Sequence, residues 1–284
     1  MQERFSKTVG IIGGKGKTGG QFARIFRELG FKVLVSDLGT KLKNSELIER
    51  SDIVVFSVPL HLSEGLMNEL APLCKRKDQV VLDVTSLKEK QVRAMSKAKG
   101  EVIGMHPLFG PNRRECRGLS VVFCPAPSRC SRKTLVEFTK LFESLGMKIV
   151  VMKPSEHDKL MAVVQVIPHL KTILAGELLR EFGLNPKASY EMSTPICKLE
   201  LGIIGRIFSQ DGMLYSAIIA QNPYSKKLIK SLGRIVGKYE HGIADGDLGM
   251  LNERFEKVKD FLGDFPKEAF RDSERIINEM QKWK

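Results

Sequence analysis

The chain has 284 residues, 42% of them hydrophobic, which is enough apolar material for two domains that need no staple. Its five cysteines are an odd count without C-x-x-C spacing, so neither a disulfide framework nor a metal site is expected; no run approaches the roughly 18 uninterrupted apolar residues of a membrane span, and the polar first residues do not begin a secretory signal, which leaves a cytoplasmic protein without a membrane role. The formal charge of +13 is scattered among acids rather than gathered into aromatic-interleaved patches, so no nucleic-acid partner is expected, whereas a small anionic substrate is compatible with it.

In chain order, β-rich runs at 8–12, 32–36, 53–58, 80–84, 102–105, 121–124 and 148–152 alternate with helical stretches. That alternation predicts an α/β domain with a doubly wound parallel sheet. Directly after the first run, Gly14-Lys15-Gly16-Lys17-Thr18-Gly19 matches G-x-G-x-x-G and leads into a helical run from Gln21. Glycines there permit a tight turn and let the backbone approach a pyrophosphate, whose charge meets the N–H groups of the helix N-terminus. Lys15 and Lys17 add positive potential.

The second run ends at Asp37, close to the spacing of a ribose-binding acid. A carboxylate there accepts from the adenosine 2′-hydroxyl and repels a 2′-phosphate, which favours NAD over NADP. Lys41 and Lys43 pull the other way, and Asp37 as a plain loop cap is the alternative. Ser57-Val58-Pro59 closes the third run where open α/β sheets place their ligands, although Pro59 also suffices simply to end a strand.

Asp83-Val84-Thr85-Ser86-Leu87-Lys88 follows the fourth run. It offers two hydroxyls and an ammonium at the same edge, as loops that bind anions or orient a nicotinamide do. In Gly104-Met105-His106-Pro107-Leu108-Phe109-Gly110-Pro111 a lone histidine stands at a strand end, pinned by prolines and glycines. His106 is the candidate catalytic base; a structural histidine is the competing reading.

From Ser155 the rhythm turns helical, with apolar spacing through 160–182, 196–220 and 228–236. Ser155 reads as an N-cap with acids following it, Gly183 and Pro186 as the stop, and the domain boundary is expected near Pro154. Gln165, His169 and Thr172 make a polar stripe on an otherwise apolar helix. Pro168 inside that helix is expected to bend or restart it. Arg206, within Gly202-Ile203-Ile204-Gly205-Arg206-Ile207-Phe208, is expected to be enclosed and to need an anion: a substrate carboxylate, or Asp211 as a structural partner.

Taken together these motifs resemble prephenate dehydrogenase of the kind fused to chorismate mutase in enteric bacteria, over nearly the whole chain. The most specific pieces are Asp83 to Lys88, Gly104 to Pro111, Glu156-His157-Asp158, and the tract from Ser193 to Arg206. The resemblance implies a Rossmann-like NAD-binding domain over 1–153 and an all-helical substrate and dimerisation domain over 154–284, with prephenate as substrate and a homodimer as the assembly. It places the catalytic histidine on His106, the substrate-carboxylate arginine on Arg206, a second active-site histidine on His169, and a further family histidine on His157. Ser86 is expected to bond His106 or the substrate hydroxyl, and Gln165 and Lys198 to contact substrate. At Lys198 the enteric proteins have an arginine, which puts a bidentate contact there in doubt. The chain starts a few residues before its nucleotide-binding strand, so mutase activity is expected to be absent. The rivals are arogenate dehydrogenase, a β-hydroxyacid dehydrogenase using a lysine such as Lys171, and a non-enzymatic NAD-binding regulator.

Overall fold

Short runs rich in Val and Ile, buried on both faces, suit the interior of a parallel sheet covered by helices. A computed structural model describes residues 7–111, 115–280 and 282. Seven strands, β1 (Thr8–Ile12), β2 (Lys32–Ser36), β3 (Ile53–Phe56), β4 (Val80–Asp83), β5 (Glu101–Pro107), β6 (Ser120–Pro125) and β7 (Lys148–Val151), form one sheet in the order β2-β1-β3-β4-β5-β6-β7. Interleaved helices are α1 (Lys17–Glu28), α2 (Asn44–Glu49), α3 (Leu60–Leu70), α4 (Glu89–Met95) and α5 (Arg132–Glu143).

The helices cover both faces. On one, Phe22 and Phe26 of α1 meet Phe142 of α5, whose ring stands edge-on to Phe26 and to Phe123 of β6 with centroids 6.0 and 5.5 Å apart. On the other, Leu47, Met67, Val92 and Met95 from α2, α3 and α4 pack on Val54, Phe56 and Val81. The sheet is therefore doubly wound. It is not wholly parallel, however: β6 runs antiparallel to β5, and β7 parallel to β6. A parallel return needs a crossover of a dozen or more residues, usually helical, and no helix lies between β5 and β6 among the described residues.

The remainder is helical: α6 (Pro154–Met161), a π-helical turn (Ala162–Val166), α7 (Ile167–Glu181), α8 (Pro186–Glu191), α9 (Pro195–Phe208), α10 (Gly212–Gln221), α11 (Ser225–Ala244), α12 (Leu248–Leu262) and α13 (Phe265–Met280). Pro154, rather than Ser155, opens α6; it stands in the first turn, where a missing N–H costs nothing. Glu156 reaches back to the Lys153 N–H at 3.4 Å. Pro168 neither breaks the helix nor restarts it. Its missing donor is absorbed by the π turn just before it, a widening that recurs at functional sites. Gly183 ends α7 with φ of 62°, and the run expected through 196–220 breaks at 209–211.

By contact the chain divides into two compact units, one reaching Val166 and reclaiming Met213–Pro223, the other comprising Ile167–Gly212 and the chain from Tyr224 on. The first unit thus extends beyond Pro154, because α6 and the π turn pack with the sheet. Asn222 secures the returning segment by donating to the carbonyl of Asp158 at 2.8 Å.

Candidate active site

The chain crosses from β2 to β3 on opposite sides of β1, so the carboxyl ends of β1 and β3 flank the topological switch point, where such sheets bind ligands. The turn leaving β1 sits there. Gly13, not included in the expected motif, carries its strain with φ of 81° and donates to the Ser36 carbonyl at 2.8 Å. A Cβ on Gly13 would lie 2.2 Å from the Ser57 carbonyl oxygen, and one on Gly19 would lie 2.3 Å from that of Gly13. Glycine is obligatory at both, and the Ser57 carbonyl and the Val58 side chain stand against Gly13.

Gly16 caps α1 without a side-chain hydrogen bond, and the first turn holds no acid but begins with Lys17. A lysine at the positive end of a helix is unfavourable unless an anion joins it, so Gly14, Gly16, Lys17, Thr18 and Gly19 fit a pyrophosphate. Asp37 accepts from the Lys15 N–H and the Leu38 N–H, each at 2.7 Å, one on each carboxylate oxygen. Its remaining lone pairs suit a ribose diol.

Beyond β4 the arrangement departs from expectation. Lys88 is fully buried and offers nothing to a ligand edge: its ammonium pairs with Asp83, also fully buried, and donates to the Met105 carbonyl at 2.8 Å. Asp83 accepts in addition from the backbone N–H of Thr85 at 3.0 Å. The pair ties the end of β4 to the residue preceding His106. Replacing Lys88 by methionine strands the Asp83 charge and is expected to lower unfolding free energy by about 3–5 kcal/mol, with most of the loss recovered in the Lys88→Met/Asp83→Leu double variant. Urea unfolding of both measures it; a single variant within about 1 kcal/mol of the parent contradicts the argument.

His106 is 3% exposed and is held by a relay that the sequence did not announce. Its Nδ1 lies 2.9 Å from His157 Nε2, and His157 Nδ1 lies 2.7 Å from Asp158 Oδ1. Asp158 also caps α4, accepting from the N–H of Lys88 at 2.8 Å and of Glu89 at 2.9 Å. A carboxylate facing N–H donors can only accept, so His157 donates through Nδ1 and, being neutral, accepts through Nε2. His106 must then donate through Nδ1 and keep its lone pair on Nε2. Burial, then His157, then Lys88 hold His106 well below the ordinary histidine pKa; burial also lowers His157 against the opposing pull of Asp158. The neutral, basic form is therefore resident at neutral pH.

Gln165 joins this centre: from the π turn its amide nitrogen reaches His106 Nε2 at 3.3 Å. Ser86 is half-exposed, and no hydrogen bond joins it to His106 among the described residues; both ring nitrogens are already occupied by His157 and Gln165. His169, Lys198 and Arg206 belong to the helical unit, on α7 and α9. His169 is half-buried, which lowers its pKa. Lys198 lies over the Tyr190 ring, 5.7 Å from its centroid. Arg206 is exposed rather than enclosed, because its neighbours Ile203 and Phe208 are themselves exposed in the single chain.

Two family profiles match: the prephenate dehydrogenase nucleotide-binding domain over residues 28–151 and the prephenate dehydrogenase dimerization domain over 153–257. The T-protein of Enterobacter agglomerans is 30% identical across 95% of this chain and 72% of its own length. A probable arogenate/prephenate dehydrogenase of Methanocaldococcus jannaschii is 32% identical across 78% of this chain and 53% of its own. Among solved structures, prephenate dehydrogenase of A. aeolicus in complex with hydroxyphenyl propionate and NAD+ superposes with a TM-score of 0.67 at 22% identity, covering 89% of this chain and 96% of that one. With a nucleotide turn, a buried basic histidine and two matched domains, this chain belongs to the prephenate dehydrogenase family.

Proposed function

We propose that the protein oxidatively decarboxylates prephenate to 4-hydroxyphenylpyruvate, using NAD, as a step of tyrosine biosynthesis. The observation that carries this reading is the tautomer imposed on His106, a neutral acceptor at the sheet edge that also holds the nucleotide turn. NAD, when bound, supplies the hydride acceptor.

Electron accounting defines the task of the protein. As the C4–H bond pair leaves the substrate ring, positive charge grows on the C4 hydroxyl; the C1–carboxylate bond pair then enters the ring, carbon dioxide departs, and a phenol remains. His106 Nε2 draws the hydroxyl proton toward itself while the charge is greatest, and the phenol oxygen retains it at the end. Arg206 holds a substrate carboxylate, with His169, Lys198 and Gln165 as further substrate contacts and Ser86 beside the hydroxyl. Asp37 favours NAD, with Gly14, Gly16, Lys17, Thr18, Gly19, Ser57, Val58 and Pro59 lining the cofactor.

The assembly proposed is a cytoplasmic homodimer. In the helical unit large apolar side chains such as Phe182 and Phe261 are 73% and 86% exposed, an excess that a second copy would cover; a solution mass of one chain at micromolar concentration would contradict it. An 18-residue window of the helix Pro154–Glu181 has the length and mean hydropathy, 1.3, of a membrane span, and the same helix carries the buried His157 and Asp158 of the relay.

Arogenate is the second reading, since it presents the same ring to His106 and the Methanocaldococcus relative bears both names. Following NADH and NADPH formation with prephenate and arogenate in parallel tests all of this. The expected outcome is fastest turnover with prephenate and NAD. Preference for arogenate overturns the substrate, equal efficiency with NADP overturns the role of Asp37, and no turnover with either overturns the activity.

A further inference from the structure

The two ring nitrogens of His106 are secured very differently. On the Nδ1 side, His157 and Asp158 are 0 and 1% exposed, and each is fixed by further bonds. The titratable and charged groups around the ring are these two and the buried Lys88–Asp83 pair. On the Nε2 side, the hydrogen-bond partner among the described residues is Gln165, half-exposed, at 3.3 Å. Because Nε2 carries the lone pair, the amide must present its N–H; the reversed amide would set two lone pairs face to face. Its other end, Oε1, is buried without a hydrogen-bond partner. An amide with one long bond and one unsatisfied acceptor is the least costly group to displace in this cluster.

We propose that Gln165 caps the lone pair of His106 in the free enzyme and yields it to the hydroxyl of an incoming ligand, so that the base is open only to a molecule that brings its own donor. This deepens the substrate contact proposed above and rests on His106 as the acceptor of the ring hydroxyl. Three observations converge on it. His106 is 3% exposed, and the amide of Gln165 stands against its Nε2. The groups on its other side cannot move without uncapping α4. The capping residue sits on a widened helical turn, where a side chain can be re-aimed without breaking the helix. A ligand lacking the hydroxyl cannot replace the bond of the amide to His106 Nε2, and so binds with the cap closed.

The test compares 3-(4-hydroxyphenyl)propanoate with 3-phenylpropanoate by calorimetry in the presence of saturating NAD+, on the parent and on Gln165→Met, which keeps length without the donor. A cap competes with the hydroxyl. Gln165→Met should therefore tighten the hydroxylated probe by about fivefold, the worth of one net hydrogen bond, and leave the other probe unchanged. If Gln165 merely donates to the bound ligand, the hydroxylated probe weakens; if it is structural, the ratio of the two affinities stays constant. Either result overturns the proposal. Gln165→Glu gives a second reading should the methionine variant fold poorly. A carboxylate opposite Nε2 holds the imidazolium, so binding of the hydroxylated probe should collapse at a higher pH than in the parent, and an unmoved pH profile counts against the cap. Because these are binding measurements, they separate failure of the cap from failure of the proposed turnover, which the substrate assays decide.

Discussion

His106→Asn lowers turnover by roughly 10²–10⁴-fold and leaves NAD affinity unaltered. Asparagine preserves polarity and roughly the volume near Nδ1, so His157 keeps a partner, but nothing at the former Nε2 draws the hydroxyl proton. The pH dependence carries a sign. The pKa of His106 is pushed down by burial, His157 and Lys88, so kcat/KM should hold through the range where an ordinary histidine, near about 6.5, begins to protonate, and decline only at lower pH. The same depression acts on stability. A histidine buried neutral binds its proton more readily in the unfolded chain, so its contribution is full above the unfolded pKa and is lost as pH falls toward the folded one. His106→Asn should therefore also soften the decline of melting temperature below about pH 6.5. Turnover within a few-fold of the parent would assign the proton to another group.

Arg206→Ala should raise the Michaelis constant for prephenate by roughly 30-fold or more, the loss typical of a charge-paired carboxylate contact. Arg206→Lys should recover part of this, since an ammonium cannot form two parallel bonds. The exposure of Arg206 sharpens the experiment: an enclosed guanidinium holding α9 in place would cost folding stability, whereas an exposed one should leave thermal unfolding nearly unchanged. A parental Michaelis constant beside a lowered melting temperature would remove the carboxylate role.

What was legible in the sequence was largely what is local. Strand periods and the glycine turn located β1 to β7, and a helical period separated the second half. Strand direction was not legible, because alternation of apolar residues is the same read either way; β6 and β7 therefore turned out reversed relative to β5. The site divided along the same line. His106, Asp37 and the glycines stand where a motif joins a strand end. Lys88 looked like a surface ammonium because its partner, five residues earlier, is reached only once the loop folds under the sheet edge. Asp158 looked like an acid of a helical first turn, whereas it serves the first turn of another helix, 69 residues away. Arg206 was expected to be enclosed by apolar neighbours, which assumed that one chain supplies its own cover. Gly13 has a visible signal in the doubled glycine after β1, one residue ahead of the formal motif.

The return of Met213–Pro223 to the first unit bears on how the protein is made. During synthesis the sheet and its glycine turn emerge first and fold as the amino-terminal part of a chain generally does. Tyr215, Ala217, Ile218 and Asn222, all buried, leave the ribosome only after α7, α8 and α9. Until then the surface that receives them is bare and the Asp158 carbonyl lacks its Asn222 donor. Completion of the first unit thus waits on translation of Ile167–Gly212 of the helical one, and a nucleotide-binding fragment cut after β7 would be born without its last wall.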